Sequence, residues 1–189
     1  MYDAGPQPGA REPAPGRLAL VQAFVNSHYD LEFEHGVDLL RDPAALSRWL
    51  SRRGFDHRRV SGSDHQRALA VRRGLHALAV ANNGGPLDEE AVGRLNDAAR
   101  HASFGARLGA GASELVPHAA GVDGALATIL AVTTTAMLDG TWSRLKACRQ
   151  HDCQWAFFDQ SRSGTGSWCS MRVCGGRAKQ RAYYRRARR

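Results

Sequence analysis

Apolar residues recur at helical spacing along most of residues 18–138, in segments separated by Gly, Pro, Asn and Asp. Typical N-terminal capping residues precede several of these segments, which favours helix starts there. Helices are predicted from Leu18, from Pro43 after an Asp42 cap, after Ser61–Asp64, after Asp88, and from Gly124 to Met137. Residues 106–116 are rich in Gly and Ala and allow a hairpin or irregular strands. The pattern therefore predicts a mainly α protein, with a mostly helical N-terminal domain that has room for short strands.

The composition divides the chain into three parts. Residues 1–16 are rich in Pro, Gly and Ala and cannot bury much apolar surface, which predicts a disordered tail. Gly140 follows the last long apolar segment, and the charge balance changes there. We therefore predict one domain over residues 17–139 and a second over 140–189, joined near 139–142 and able to fold separately.

The longest apolar run is Ala125–Leu138, which contains four threonines and spans fourteen residues. A transmembrane helix needs about 20 apolar residues, so this run is predicted to be a buried helix. The sequence at the N-terminus has acids and prolines rather than the basic and apolar start of a secretory signal. We therefore expect no membrane partner.

The positive charge is concentrated near one end of the chain. The sequence holds 26 Lys or Arg and 18 Asp or Glu, for a formal net charge of +8. Residues 144–189 hold twelve of the basic residues and two of the acidic ones, which leaves fourteen basic and sixteen acidic residues elsewhere. Charge gathered on one small module is typical of a nucleic-acid binder, although a solvated basic tail has the same composition.

All four cysteines lie within the last forty-two residues, in two pairs of equal spacing. Four residues separate Cys148 from Cys153 and Cys169 from Cys174, and fifteen residues lie between the pairs. Two close pairs of thiolates brought together by folding suit the tetrahedral coordination of Zn²⁺. We therefore predict one structural zinc per chain and a reducing compartment, the cytoplasm.

Three other interpretations of the cysteines are weaker. Two disulfides are typical of a secreted protein, and the sequence has no secretory signal. Four ordinary buried thiols would have no reason to fall into two pairs of equal spacing. His151, inside the first pair, could replace one ligand, but one cysteine would then not bind the metal.

The residues between and after the pairs predict a hairpin followed by a helix. Trp155, Phe157 and Phe158 precede the polar stretch 161–167, and Trp168 follows it, which is the composition of a strand, a turn and a strand. After Cys174 the chain has helix formers, and helical spacing places six candidate DNA-contacting residues on or beside one face. They are Arg177, Lys179, Arg181, Tyr184, Arg185 and Arg188.

Nothing in the sequence indicates catalysis. The eight histidines are scattered, and the motifs HExxH, GxSxG and the phosphate-binding loop do not occur. Four cysteines would close the coordination sphere of a zinc ion, whereas catalytic zinc keeps one position open. We therefore predict that the protein is not an enzyme.

The segment from Gly140 closely resembles the CGNR zinc finger, a treble-clef-type finger of bacterial proteins associated with transcription regulation. The family signature stands here as Cys174, Gly175, Gly176 and Arg177. Gly176 replaces the family asparagine, which would cap the final helix, so the resemblance predicts a weakened cap and an intact metal site. The four cysteines occupy the family's ligand positions.

The preceding part of the chain resembles the ABATE domain, which usually accompanies this finger in a family named for stress-induced transcription regulation. The resemblance lies in LALVQAFVNS, WLSRRG, LAVRRGLHAL and Leu95-Asn96. It implies a domain that binds an unknown small molecule, with Asn26, Arg72 and His76 as candidate ligand-binding residues. A buried Arg72 needs a partner, which could be an anionic ligand or equally Asp56, Asp64 or a helix C-terminal carbonyl.

Three functional hypotheses follow. The first is a zinc-dependent regulator that binds double-stranded DNA, whose N-terminal domain senses a ligand or mediates assembly. The second is an RNA-binding or ribosome-associated module, since arginine-rich helices also serve RNA. The third is a protein-interaction adaptor in which zinc only stabilises a small fold.

Overall fold

The computed structural model describes residues 5–29 and 36–188, apart from the side chains of Ala112 and Arg185. Within these residues the chain forms six helices and four short strands. The helices are α1 Leu18–Val25, α2 Pro43–Ser51, α3 Gly62–Asn82, α4 Glu89–Ala99, α5 Gly121–Leu138 and α6 Gly176–Ala187. The strands are β1 Phe104–Gly109, β2 Ala112–Pro117, β3 Leu145–Ala147 and β4 Ala156–Phe158. The predicted mainly α fold with short strands is confirmed.

Local capping chemistry explains where three helices begin. The Asp42 carboxylate accepts a hydrogen bond of 2.7 Å from the backbone N–H of Ala45, with Pro43 in the first helical turn. Ser61 and Asp64 form a reciprocal capping box at the start of α3, and Asp88 accepts from the Ala91 N–H at the start of α4. These side chains satisfy amide groups that a helix leaves unpaired at its N-terminus, so the short-range sequence determines the start.

Helix α5 lies in the hydrophobic core. It is long and apolar enough to span a membrane by length and composition alone. Twelve of its eighteen residues are buried inside the protein, as in the core helix of a soluble protein. Thr128 and Thr133 are among these buried residues. Their hydroxyls are satisfied there because they donate to the carbonyls of Gly124 and Ile129 at 2.8 and 2.9 Å.

The helical part and the cysteine-containing part share one hydrophobic core. Trp142, Leu145, Ala156 and Phe158 belong to the same buried cluster as the apolar residues of α1, α3 and α5. Separating the two parts would expose this surface to water, at about 25 cal/mol per Å². The packing therefore counts against the expectation that residues 17–139 and 140–189 fold separately.

The C-terminal end of α3 adds polar contacts to this interface. Asn82 and Asn83 are the last residue and the C-cap of the helix, and their amide groups donate to four carbonyls in the following part of the chain. The acceptors are Trp142 and Leu145 at 2.8 and 2.9 Å for Asn82, and Ala147 and Ser167 at 2.6 and 3.1 Å for Asn83. The C-terminal end of α3 thus anchors β3.

The side chain of Asn26 completes the free edge of β4. Its Nδ2 donates to the carbonyl of Ala156 at 2.8 Å, and its Oδ1 accepts from the Ala156 N–H at 2.8 Å. Gln22 Nε2 donates to the same carbonyl at 3.1 Å. These two side chains, from α1 and its C-terminal end, take the place of a neighbouring strand. The side-chain amide of Asn26 is therefore already hydrogen-bonded to the backbone of β4.

Replacement of Asn26 by Ala is expected to destabilise the protein by roughly 2–4 kcal/mol, because it leaves two buried backbone groups of Ala156 without their Asn26 partner. Denaturant unfolding of the zinc-loaded protein measures the loss. Asn96→Ala, at an exposed position of α4, is the matched control and should change stability by less than about 0.5 kcal/mol. Equal stability of the two variants would contradict the structural role of Asn26.

Residues 7–14 are ordered against the cysteine-containing part, which differs from the expected disordered tail over 1–16. Pro8–Ala10 forms a 3-10 turn, and Ala14 is buried. The Pro, Gly and Ala content indicates little apolar burial. The segment is held against the finger instead by hydrogen bonds that Arg11 donates and that Gln7 accepts. Residues 1–4 lie outside the described residues.

Candidate metal centre

The first cysteine pair lies in the loop of a hairpin. Strand β3 pairs with β4 in antiparallel register, Leu145 opposite Phe158 and Ala147 opposite Ala156. The predicted hairpin on either side of the polar stretch 161–167 is therefore wrong, because the partner of β4 precedes Cys148. A three-residue strand has too few positions to show an alternating pattern, which is why the sequence did not reveal β3.

Backbone hydrogen bonds shape this loop around the first pair. The Cys148 N–H donates to the carbonyl of Trp155 at 2.9 Å, and the Cys153 N–H donates to the carbonyl of Gln150 at 2.9 Å. Gln154 has a left-handed backbone with a φ of 51°. This conformation turns the chain back toward β4 within one residue of Cys153.

The second pair lies at the start of a continuous helical run. Cys169 precedes the π-type turn Met171–Gly175, which contains Cys174 and runs directly into α6. Ser170 caps this run, since its side chain accepts from the Val173 N–H at 3.4 Å. Gly176 has helical φ and ψ, so it is not the cap that the resemblance to the CGNR finger suggests.

The four sulfur atoms converge on one point. They lie within 4.8 Å of one another, with Cys153 and Cys169 3.5 Å apart and Cys169 and Cys174 3.6 Å apart. A zinc ion with bonds of about 2.3 Å to four tetrahedral thiolates places the sulfurs about 3.8 Å apart. All four cysteines are free of disulfides. The side chain of His151 is 95% exposed, which leaves the four thiolates as the ligand set.

The sulfur cluster is electrostatically suited to a cation. Hydrogen bonds from the thiols of Cys153 and Cys169 hold the pKa of Cys148 far below its usual range. The contacts with Cys148 and Cys153, together with burial, raise the pKa of Cys169 well above its usual range. Four sulfurs this close cannot all ionise without a positive ion between them, and Zn²⁺ supplies that charge.

A buried ion pair holds the loop that joins the two pairs. Lys146 Nζ lies 2.8 Å from Asp159 Oδ2, and both side chains are buried. Burial alone would raise the pKa of Asp159, but Lys146 and hydrogen bonds from Ser161 and Gly166 hold that pKa well below its usual range. Lys146 is not among the residues that the sequence predicted, although a lysine between Leu145 and Ala147 in an apolar segment is the signal that could have revealed it.

The predicted DNA-contacting residues lie along α6, with Arg188 at its C-cap. Five of the six are exposed, namely Arg177, Lys179, Arg181, Tyr184 and Arg188. The side chain of Arg185 lies outside the described residues. Ala178 and Ala182 are only half-buried, so much of the helix surface faces solvent. The Arg181 guanidinium donates to the side chain of Gln150 in the first cysteine loop, which ties the helix to the metal centre.

The candidate ligand-binding residues do not form one site. Arg72 makes a two-pronged ion pair with Asp38 at 2.7 Å for each contact, so its partner is neither Asp56 nor Asp64. His76 Nε2 donates to the carbonyl of Gln154 at 2.9 Å.

Arg72 and His76 line a cleft of about 880 Å³ between α3 and the first cysteine loop, whereas Asn26 is not among its lining residues. Burial lowers the pKa of His76 and of the neighbouring His28, which favours their neutral forms. The cleft also reaches Cys148. It therefore lies between the helical part and the metal centre.

Comparison with protein-family models assigns both parts of the chain. Residues 18–140 match the ABATE family, described as "Putative stress-induced transcription regulator". Residues 144–187 match the CGNR zinc finger, in the same order along the chain. No curated protein matches the sequence. With the sulfur geometry, these matches support one structural zinc held by the four cysteines, while the treble-clef assignment stays a prediction. The chain belongs to the ABATE family and carries a CGNR zinc finger after its ABATE domain.

Proposed function

We propose that this protein is a zinc-dependent transcription regulator that binds double-stranded DNA through α6. The observation that carries the proposal is the charge and exposure of this helix. Residues 176–189 hold seven Lys or Arg and no acidic residue. The positive side chains of such a helix repel one another. Binding to a polyanion such as DNA removes this repulsion and releases the counterions condensed on the DNA. The regulator description of the ABATE family supports the same function.

Zinc has a structural role in this proposal. The turn Met171–Gly175 contains one ligand and leads directly into α6. A bound zinc fixes Cys174 relative to the other three ligands, and so fixes the direction in which the helix leaves the finger. Since four cysteines fill all four positions of a tetrahedral zinc, no position is left for substrate, and we infer no enzymatic activity.

The cleft beside the first cysteine loop is our candidate for ligand sensing. It is lined by His28, Arg72 and His76 on one side and by Cys148 and Gln154 on the other. A molecule bound there would contact both the ABATE domain and the finger, and could alter the position of one relative to the other. Because the zinc ligands must be reduced thiolates, we place the protein in the cytoplasm.

RNA is the second candidate, and two exposed aromatic residues favour it. The side chains of Tyr183 and Tyr184 lie on α6 among the arginines, exposed at 64% and 55%. Exposed aromatic rings beside arginines can stack on unpaired bases, which double-stranded DNA does not offer. The adaptor hypothesis has no comparable feature.

Titration of a labelled random-sequence DNA duplex at several salt concentrations tests the proposal. We expect binding at low salt and a linear fall of log affinity with log salt concentration, because phosphate contacts release counterions. Unlabelled duplex DNA should compete better than single-stranded RNA of equal length. Stronger competition by RNA would favour the second candidate, and no binding at low salt would favour the adaptor hypothesis.

A further inference from the structure

Residues 7–14, here called the N-terminal strap, run from the second cysteine pair toward the start of α1. The strap lies outside both family matches, which cover residues 18–140 and 144–187. Its contacts include the backbone carbonyls of Trp168 and of the zinc ligand Cys169. We propose that the strap is a clamp on the metal centre, and that Arg11 is the positioning residue that sets how slowly zinc leaves.

The guanidinium of Arg11 donates to three carbonyls of the finger. Nε donates to Cys169 at 3.0 Å, Nη1 to Phe158 at 3.2 Å, and Nη2 to Trp168 at 3.2 Å. The same group lies 4.8 Å from the centroid of the buried Phe157 ring. Every nitrogen of the side chain is therefore directed at the finger, and one acceptor is the carbonyl of a zinc ligand.

These three carbonyls belong to two separate segments. Phe158 ends β4, whereas Trp168 directly precedes the second cysteine pair and Cys169 is its first member, after the loop 159–167. Arg11 therefore holds the hairpin and the second pair at a fixed separation. The planar guanidinium can donate in several fixed directions at once, which a lysine ammonium on its flexible stem does not reproduce.

The strap is also fastened to α1 and to the first cysteine loop. Gln7 Oε1 accepts from Trp155 Nε1 at 3.1 Å and from Gln22 Nε2 at 2.9 Å. The backbone N–H of Ala14 donates to Gln22 Oε1 at 2.7 Å, and Ala14 is buried. Trp155 follows Cys153 by two residues, so the strap reaches both halves of the zinc site.

The backbone of the strap fits closely against the second pair at Gly9. A Cβ atom at this position would lie 2.5 Å from Ser170 Oγ and 3.1 Å from Ser170 Cβ. Gly9 also has a φ of 70°, a conformation that side chains disfavour. Ser170 follows the ligand Cys169 and caps the turn that contains Cys174. An alanine at Gly9 would therefore push the strap away from the metal centre.

These contacts bear on zinc release because a zinc ion can leave only when its ligands separate. The second pair is linked to the first through the irregular loop 159–167, in which the structure shows no helix or strand. Arg11 and Gly9 restrict the movement of this pair relative to β4. The strap thus pre-organises the four ligands, so opening the site requires breaking the Arg11 hydrogen bonds first.

The test is the rate of zinc loss from the full-length, zinc-loaded protein in excess chelator, followed with a coloured zinc indicator. We expect Arg11→Ala to release zinc at least about tenfold faster, since it loses several charge-assisted hydrogen bonds. The zinc release rate of Arg11→Lys should lie between those of the parent and of Arg11→Ala. Arg17→Ala is the control of equal charge change, because Arg17 pairs with Glu114 at the protein surface, and should match the parent.

Gly9→Ala provides a second variant that keeps the charge, and it too should release zinc faster than the parent. Cobalt-substituted protein gives a spectroscopic readout, since its visible absorption reports the geometry of the four thiolates. Parental release rates for both Arg11→Ala and Gly9→Ala would overturn the proposal, as would equal acceleration by Arg17→Ala. If Arg11→Ala does not fold, Arg11→Lys and Gly9→Ala decide by the same criterion.

Discussion

Replacement of Cys169 by Ser is expected to abolish stoichiometric zinc binding and to unfold the zinc finger. The Cys169 sulfur lies 3.5 Å from that of Cys153 and 3.6 Å from that of Cys174. Its side chain is buried, so no solvent group can replace the lost thiolate easily. Structural zinc contributes about 10–16 kcal/mol of apparent binding free energy in zinc-finger peptides, and that energy is folding energy.

The shared core extends this effect beyond the finger. Trp142 and Leu145 precede the first ligand and pack in the same cluster as α1, α3 and α5. The four amide hydrogen bonds from Asn82 and Asn83 also end on this part of the chain. We therefore expect the Cys169→Ser variant to lose thermal stability in its helical part as well, in one transition with the finger.

Elemental analysis of the purified protein and far-ultraviolet circular dichroism measure the two outcomes. The parent should contain close to one zinc per chain, and the Cys169→Ser variant close to none. Ser163→Ala, an exposed position in the loop between the pairs, is the control and should keep its zinc. Stoichiometric zinc in Cys169→Ser would contradict the ligand assignment. A helical part that melts at the parental temperature would contradict the shared core.

The features that the sequence predicts correctly depend on neighbouring residues. The starts of α2, α3 and α4 follow from Asp42, Ser61 and Asp88, whose side chains bond to amides three residues away. The equal spacing of the cysteine pairs predicts the sulfur cluster for the same reason, because each pair lies within one turn of chain. Local chemistry of this kind can be read without knowing the fold.

The features that the sequence does not predict depend on distant residues. Arg11 bonds to carbonyls 147–158 positions away, and composition alone suggested a disordered tail. Asn26 was a candidate ligand-binding residue, but its amide satisfies the edge of β4, 130 positions along the chain. Nothing local distinguishes an asparagine that binds a ligand from one that pairs with a distant strand, because the same donor and acceptor serve both.

Substitution of three arginines on α6 is expected to weaken DNA binding by at least about a hundredfold. The variant is Arg177→Ala/Arg181→Ala/Arg188→Ala, at three exposed positions of the helix and its C-cap. Each residue that contacts a base or a phosphate closely contributes about 1–3 kcal/mol, and the three sites are spaced along the helix. The salt dependence should also become shallower, with a slope that falls by about 0.9 for each phosphate that the variant no longer neutralises.

Arg181 has a second role that this experiment must separate from DNA binding. Its guanidinium bonds to Gln150 in the first cysteine loop, so its removal could change the direction of α6 rather than weaken a direct interaction with DNA. Gln150→Ala removes the same bond and keeps the charge. If Arg181 touches DNA directly, Gln150→Ala should bind DNA much more tightly than Arg181→Ala. Equal weakening in both variants would assign Arg181 to orientation of the helix.

The matched control moves the same charge change to the ABATE domain. Arg94→Ala/Arg100→Ala/Arg107→Ala removes three surface arginines that pair with Glu90, Asp97 and Glu114. Exposed ion pairs contribute little to stability, so this variant should stay folded. Both triple variants lower the net charge equally, so the general electrostatic attraction to a polyanion should weaken by the same amount in each. A difference in DNA affinity between them therefore shows where the interface lies. A parental affinity for the α6 variant, or an equal weakening in the control, would refute binding through α6.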